Sequence, residues 1–445
     1  MTRTKLTALA VLPGAAVLFA ACSGSDWEAV SYELGDTTVV RTVSGSAWGG
    51  PARLVERARI DLEAADSANT IRMVAALAVG PRGDVYVVDP ETPAVRSYDE
   101  DGEYRRSFKV PPDSAGAYEL PNGVAVLADG RVVIRDPRTA SFLIYSSRGN
   151  YLERWPHPFR VYSPLPVMLD HEERLYTATP FNPSAPREER RQGLVRYAPD
   201  GTIEDTIPIP EIDYAPPALS VVSYEGDTVS FRIPLYPRTF WAWSPTGDWV
   251  RGISSGYSFD VARPDGRVVR IEREHEPVAA SREERMALYR SVDRRARQLD
   301  YRWTWRGPVV PETKPPYKSI FTDRDGRIWV QLHQPAQLRA GEAGEEAPVP
   351  TEPEPDSASA ASAAGEDSAS VASSIRENID RPSARDFGEP IVFDVFQPDG
   401  RYLGQVSAPA GFRTRPMPVI QGNTVWAAVG ERGSVPSIVR FEIER

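Results

Sequence analysis

The sequence predicts an all-β fold built from repeated four-stranded units, and three observations support this prediction. First, the stretches 77–108 and 124–155 align without a gap, which is an internal repeat. Second, each stretch contains short apolar runs rich in β-branched residues, and such runs are typical of buried strands. Third, each stretch has two turns that contain glycine, the residue that most easily adopts the positive φ of tight hairpins.

The repeat has a constant length. The first and second turns of a unit are 19 residues apart, as from Gly83 to Gly102, and the same spacing separates Gly247 from Gly266. A unit of this size with four strands is typical of a propeller blade, so we expect a six-bladed β-propeller with four-stranded antiparallel blades. Four pairs of landmarks are 47 residues apart in the two stretches: Gly83 and Gly130, Asp89 and Asp136, Tyr98 and Tyr145, and Gly102 and Gly149.

We expect the propeller to span 37–445. The sixth unit ends before a fourth strand, and the β-branched run 37–43 near the N-terminus is a spare strand. We therefore predict that a closing strand at 37–48 completes the sixth blade, because a closed ring leaves no open sheet edge. The predicted blades are 71–110, 121–158, 164–209, 237–273, 317–335 together with 390–408, and 417–445.

Two insertions interrupt the repeats. Ser281 and Glu284 form a capping box, and apolar residues follow at helical spacing, so we predict an amphipathic helical insertion at 281–303. This helix is either a surface helix with a solvated charged side or a lid that contacts a partner. The stretch 220–232 predicts a β-hairpin.

The second insertion, 338–388, is acidic. Its central part, 341–378, holds nine acidic residues and one arginine, whereas the whole chain has a net charge of −10. Because this segment has almost no large apolar residue, we predict that it is disordered. The rest of the chain has mixed charge and no basic field, which argues against nucleic acid as a partner.

The N-terminus predicts export. Two basic residues precede an apolar run that ends in small residues before Cys22, which is typical of a signal peptide at 1–21. The run 19–22 resembles a bacterial lipobox, although Phe19 replaces its usual aliphatic residue. This resemblance implies lipidation of Cys22, a lipid-anchored tether at 22–36, and a position at the outer membrane or facing the periplasm. The alternative is cleavage after Ala21 without lipidation.

The repeats also resemble a known family. In each repeat, a glycine precedes an apolar strand that ends in Asp, and a strand that contains Tyr and a second glycine follow. This pattern is similar to NHL-type repeats of six-bladed β-propellers. Gly83–Gly102 and Gly130–Gly149 carry this likeness most clearly. The resemblance implies the fold, but it implies little about function because this fold hosts unrelated activities.

Aromatic and basic residues in the connections between blades, and in the inner strands that follow them, are the candidate ligand-binding groups. Propeller loops line the mouth of a central channel, where cationic and aromatic side chains can bind a ligand. The alternative is that the aromatic residues pack the inserted helix onto the disc. The candidates are Tyr236, Arg238, Trp241, Lys314, Tyr317 and Lys318.

A second set of residues is compatible with metal binding. Asp89 and Asp136 occupy equivalent positions in two units, and His333 follows a predicted strand near the axis. These side chains could coordinate a metal ion such as Ca²⁺. The alternative is that each aspartate accepts hydrogen bonds in its own turn.

Two functions remain open at this stage. The first is a non-enzymatic lipoprotein of the bacterial cell envelope that binds a ligand or a protein or acts as a scaffold. We expect such a protein to be monomeric, to use no cofactor and to bind an envelope protein or small ligand with one face of the propeller. The second is a metal-assisted, lactonase-like lyase or hydrolase with its site at the channel mouth. We favour the first because the sequence has no recognisable catalytic motif.

Overall fold

The computed structural model describes strand 17–20 and residues 26–62, 71–108, 114–157, 165–180, 191–224, 226–338, 387–431 and 434–445. The predicted lipidation site at Cys22 and nearly all of the acidic insertion lie outside these residues. Within the described residues the chain forms 33 strands and one helix.

The strands are numbered in chain order. Those before residue 110 are β1 (Val17–Ala20), β2 (Glu28–Leu34), β3 (Thr37–Ser44), β4 (Ala52–Ile60), β5 (Ala76–Val79), β6 (Val85–Asp89), β7 (Ala94–Tyr98) and β8 (Tyr104–Ser107). Those up to residue 232 are β9 (Gly123–Val126), β10 (Val132–Asp136), β11 (Ser141–Tyr145), β12 (Tyr151–Pro156), β13 (Met168–Leu169), β14 (Leu175–Pro180), β15 (Gln192–Tyr197), β16 (Ile203–Pro208), β17 (Ala218–Val222) and β18 (Thr228–Arg232).

The second half continues this pattern around the helix α1 (Arg282–Leu299). Before the helix lie β19 (Thr239–Trp243), β20 (Trp249–Ile253), β21 (Ser258–Ala262), β22 (Val268–Arg273) and β23 (Val278–Ala279). After it lie β24 (Thr313–Lys314), β25 (Tyr317–Thr322), β26 (Ile328–Leu332), β27 (Gln337–Leu338), β28 (Phe387–Gly388), β29 (Val392–Phe396), β30 (Tyr402–Ser407), β31 (Val419–Gln421), β32 (Thr424–Val429) and β33 (Ser437–Glu444).

Four-stranded antiparallel groups dominate the sheet topology. Three are separate sheets: unit I (β5–β8), unit II (β9–β12) and unit III (β13–β16). A seven-stranded sheet contains unit IV (β19–β22), and an eight-stranded sheet contains unit V (β25, β26, β29, β30) and unit VI (β31, β32, β33, β4). Sequential antiparallel strands within each group are the strand order of propeller blades, so the chain is an all-β propeller.

The closing-strand prediction was wrong in detail. The strand β3 pairs in parallel with β22 of unit IV, starting at Thr37 opposite Val268. The strand that completes unit VI is β4, which pairs antiparallel with β33. Cross-strand ion pairs favour this choice, because Arg57 contacts Glu442 at 2.9 Å and Glu444 at 2.6 Å.

Apolar clusters lie between neighbouring units. Because alternate side chains of a strand point to opposite faces, each unit packs against the unit before it and the unit after it. Trp329 of unit V and Phe441 of unit VI belong to one buried apolar cluster, and Trp426 of unit VI and Val87 of unit I belong to another. Units I and VI are therefore in contact. Burial of each large apolar side chain stabilises the fold by about 1.5–3 kcal/mol. The chain depends on this burial because its single cysteine allows no internal disulfide.

The predicted helix and hairpin are both confirmed. Ser281 is the N-cap of α1, and its Oγ accepts the N–H of Glu284 at 3.1 Å. The buried residues Tyr289 and Val292 of α1 pack against Leu219 of the β17–β18 hairpin. Among the described residues, no helix has both the length and the apolar composition that a membrane span requires.

Candidate functional site

The innermost strands of all six units meet around an axial cavity of about 200 Å³. These strands are the first of each unit, namely β5, β9, β13, β19, β25 and β31. The wall of the cavity is mainly apolar, since it is lined by side chains such as Leu77, Val124, Met168, Trp243, Ile320 and Met417.

Trp241 is the candidate ligand residue that the structure places in this wall. It is half-buried in the middle of β19, and its ring meets that of Trp249 edge to face with 5.7 Å between centroids. Aromatic side chains of this kind provide large apolar contact surfaces for a ligand.

Two charged residues, Asp323 and Arg324, line the axial cavity at the end of β25. The carboxylate of Asp323 is buried and accepts from Arg327 Nε at 2.6 Å and from Trp329 Nε1 at 2.8 Å. Burial raises the pKa of Asp323, although the ion pair with Arg327 opposes that shift. The charge of Asp323 is thus directed at Arg327.

Arg324 has no such partner. Its backbone is well bound, since its N–H donates to the carbonyl of Ile420 at 3.1 Å and its carbonyl accepts from His171 Nε2 at 3.2 Å. Its guanidinium, in contrast, makes no hydrogen bond or ion pair with any described residue. Burial lowers the pKa of Arg324, and Asp325 partly opposes this effect. The cavity wall therefore carries one cation whose guanidinium has no hydrogen-bond or ion-pair partner among the described residues.

A cluster of paired charges lies at the opposite end of unit V. Three residues singled out in the sequence, Lys314, Lys318 and His333, converge there on Glu389. The carboxylate of Glu389 accepts from Lys314 Nζ at 2.9 Å, from Lys318 Nζ at 2.8 Å and from His333 Nδ1 at 3.0 Å. Lys314 also contacts Glu284 of α1 at 2.6 Å, and its side chain is fully buried.

This Glu389 cluster is internally compensated. Burial alone would raise the pKa of Glu389, but the hydrogen bond and charge of His333, together with Lys318, hold that pKa far below its usual range. Since every carboxylate and amine in the cluster already has a partner, it connects α1, β24, β25 and the segment before β29. Glu389 was absent from the sequence-based candidates.

The remaining ligand-binding candidates lie in three different environments. Tyr317 is fully buried between units IV and V, and its hydroxyl donates to the carbonyl of Ser258 at 3.2 Å. Tyr236 packs with the apolar cluster under α1, which matches the packing alternative. Arg238 is exposed, and its backbone N–H donates to Ser254 Oγ at 3.0 Å. The six candidates therefore do not form one site.

Asp89 and Asp136 accept hydrogen bonds in their own turns, as the second alternative predicted, and each also accepts a backbone N–H from the segment that precedes its unit, from Arg72 and Glu119 respectively. Asp89 Oδ1 accepts the N–H of Glu91 at 2.9 Å, and Asp136 Oδ1 accepts the N–H of Arg138 at the same distance. Both carboxylates are fully buried, and they lie in different units from His333. In the part of the chain that the structure describes, no group of three or more acidic, His or Cys side chains is arranged to hold a metal ion.

Comparisons with known proteins give low similarity to solved structures and no match to a family model or a curated protein. A DUF4221-family protein from Bacteroides vulgatus is similar at 10% identity and a TM-score of 0.47, covering 88% of this chain and 99% of that chain. Virginiamycin B lyase from Staphylococcus aureus is similar at 11% identity and a TM-score of 0.36, covering 87% and 99%. A gluconolactonase from Xanthomonas campestris is similar at 12% identity and a TM-score of 0.34, covering 89% and 98%.

At these values the likenesses carry no argument about activity. The assignments of fold and function therefore rest on the strand pairing and the side chains of this chain itself.

Proposed function

We propose that the chain is an exported, lipid-anchored, six-bladed propeller of the NHL type that binds a small molecule in its axial cavity without catalysing a reaction. The number of blades is supported by the six four-stranded units and by the apolar cluster that joins unit I to unit VI. The 47-residue repeat supports the NHL type.

The observation that carries the binding function is the axial cavity. Small-molecule sites in proteins are concave and mostly apolar, with a few polar groups that orient the ligand. The cavity combines apolar walls from all six units with the aromatic surfaces of Trp241 and Trp243. The charged side chains of the Glu389 cluster, at the other end of unit V, are already paired with one another. They are therefore less available to bind a ligand than the groups that line the cavity.

Filling the cavity tests this function. Octanoate and its neutral analogue octanamide are suitable probes, with binding measured by isothermal titration calorimetry. Met168→Phe enlarges a side chain in the cavity wall, and we expect it to weaken binding of both probes about tenfold or more. Met286→Phe is the matched control, because Met286 lies in the cluster under α1. If both variants bind as the unmodified protein does, or if neither probe binds at all, the proposed function is wrong.

Anchoring at Cys22 has its own test. The proposal predicts that the protein purified from bacterial membranes carries a mass increase from lipid on its N-terminal cysteine, and that Cys22→Ala releases the protein from the membrane fraction. A mature protein that begins at an unmodified Cys22 would support cleavage without lipidation instead.

A further inference from the structure

We infer that the ligand of the axial cavity is a small amphipathic carboxylate whose anionic group binds to Arg324. This inference rests on the proposed binding function and names its ligand class. The planar guanidinium of arginine presents paired N–H donors that match the two oxygens of a carboxylate. The apolar wall of the cavity accommodates the remainder of such a molecule.

The two acidic residues beside Arg324 are both bound to other groups. Asp323 is bound to Arg327 and Trp329. Asp325 Oδ2 accepts the N–H of Gly422 at 2.6 Å and lies 3.1 Å from Arg327 Nη2. Both carboxylates therefore bind other groups, and neither forms a hydrogen bond or ion pair with the Arg324 guanidinium, although they are its neighbours in the chain.

The other described turns at this end of the cavity provide no anion for Arg324. The turn of unit IV contributes Pro245 to the wall, and the turn of unit III bears His171, whose Nε2 donates to the carbonyl of Arg324. Asp323 is the only acidic residue among the described residues that line the cavity, and it is already paired. A ligand that enters the cavity thus supplies the missing anion.

The charge of the cavity wall indicates the type of anion. One unpaired arginine provides one positive charge, which matches the single charge of a carboxylate. A phosphate monoester carries almost two negative charges at neutral pH and would need a second cation. The described residues that line the cavity offer no second free cation. The charge balance thus favours a monoanion.

The test compares three probes with the same alkyl chain by isothermal titration calorimetry: octanoate, octanamide and octyl phosphate. We expect octanoate to bind at least tenfold more tightly than octanamide, because a hydrogen bond to a charged group is stronger than one to a neutral group. We also expect octanoate to bind more tightly than octyl phosphate. Arg324→Met should bring octanoate down to the affinity of octanamide, while Arg282→Met, at an exposed arginine of α1, should leave both unchanged.

The outcomes separate the inference from the proposed function. Equal binding of octanoate and octanamide overturns the role of Arg324 and leaves the binding function intact. Tighter binding of octyl phosphate overturns the assignment to a carboxylate. If no probe binds, the proposed function fails and the inference fails with it. The comparison of probes uses the unmodified protein, so it decides the question even if Arg324→Met does not fold.

Discussion

The two ends of unit V handle charge in opposite ways. At one end, Lys314, Lys318 and His333 share the carboxylate of Glu389, and Lys314 has a second partner in Glu284. At the other end, Arg327 is fully paired while Arg324, in the same turn, has no described partner. Both ends hold buried or partly buried cations, but only the second has one without a hydrogen-bond or ion-pair partner among the described residues.

This difference separates structural charges from an available one. A buried cation costs free energy unless an anion and hydrogen bonds offset its desolvation. The Glu389 cluster meets that condition within the protein, so its residues act as connections between elements. Arg324 does not meet it, and the balance is restored only when an anion enters the axial cavity. We therefore expect mutations of paired residues to lower the free energy of unfolding, and mutation of Arg324 to leave it unchanged or raise it slightly.

The largest effect is expected at the paired arginine. Arg327→Met leaves the fully buried carboxylate of Asp323 without its cation. Breaking a buried ion pair in this way typically lowers the free energy of unfolding by about 3 to 5 kcal/mol. Urea unfolding at neutral pH measures this loss. A loss below about 1 kcal/mol would mean that the pair is not what holds the turn together.

A smaller effect is expected at Glu389. Glu389→Gln removes one of the two anionic partners of Lys314, and we expect the free energy of unfolding to fall by about 2 kcal/mol at pH 7. Since the pKa of Glu389 is lower in the folded chain than the usual 4.5, its contribution is complete above that pH and is lost as the pH falls below it.

The difference in stability between the unmodified protein and Glu389→Gln should therefore shrink in the acid range. The exposed Glu103→Gln serves as the control and should show neither effect. A difference that grows as the pH is lowered would contradict the ion-pair network.

The smallest effect is expected at Arg324. Arg324→Met removes an uncompensated cation, so the free energy of unfolding should stay unchanged or rise by up to about 1 kcal/mol without ligand. Thermal unfolding of Arg324→Met beside Arg327→Met compares two arginines of one turn. If Arg324→Met is as destabilising as Arg327→Met, Arg324 has a structural partner and the contrast between the two ends disappears.

Local signals account for the parts of the fold that the sequence predicted. The turn glycines Gly83, Gly102, Gly130 and Gly149 all have positive φ, between 84° and 95°, as the repeat required. The capping box of α1 is likewise a short-range pattern. The partner of an N-terminal strand is not such a pattern, because 37–44 and 52–60 both have the composition of strands. Long-range contacts distinguish them, because Arg57 pairs with two glutamates of β33, more than 380 residues away, whereas Arg41 of β3 pairs with Glu272 of β22.

The candidate site could be predicted only in part, because its contacts also join residues that are far apart in the sequence. Lys314, Lys318 and His333 were singled out as basic or metal-binding candidates, but Glu389 joins them from beyond the acidic insertion, 71 residues after Lys318. In the sequence, Asp325 and Gly326 have the pattern of a tight hairpin turn, which contains no information about the partners of Arg324. The Asp325 carboxylate accepts a hydrogen bond from the N–H of Gly422, 97 residues further along the chain. This long-range contact leaves Arg324 without Asp325 as an ion-pair partner.

The most direct test of the proposed ligand site is a crystal structure of the protein with octanoate bound. We expect the alkyl chain to lie in the axial cavity against Trp241 and the carboxylate to lie within hydrogen-bond distance of the Arg324 guanidinium. Octanoate bound outside the cavity, or bound inside it with its carboxylate turned away from Arg324, would contradict the proposed ligand site.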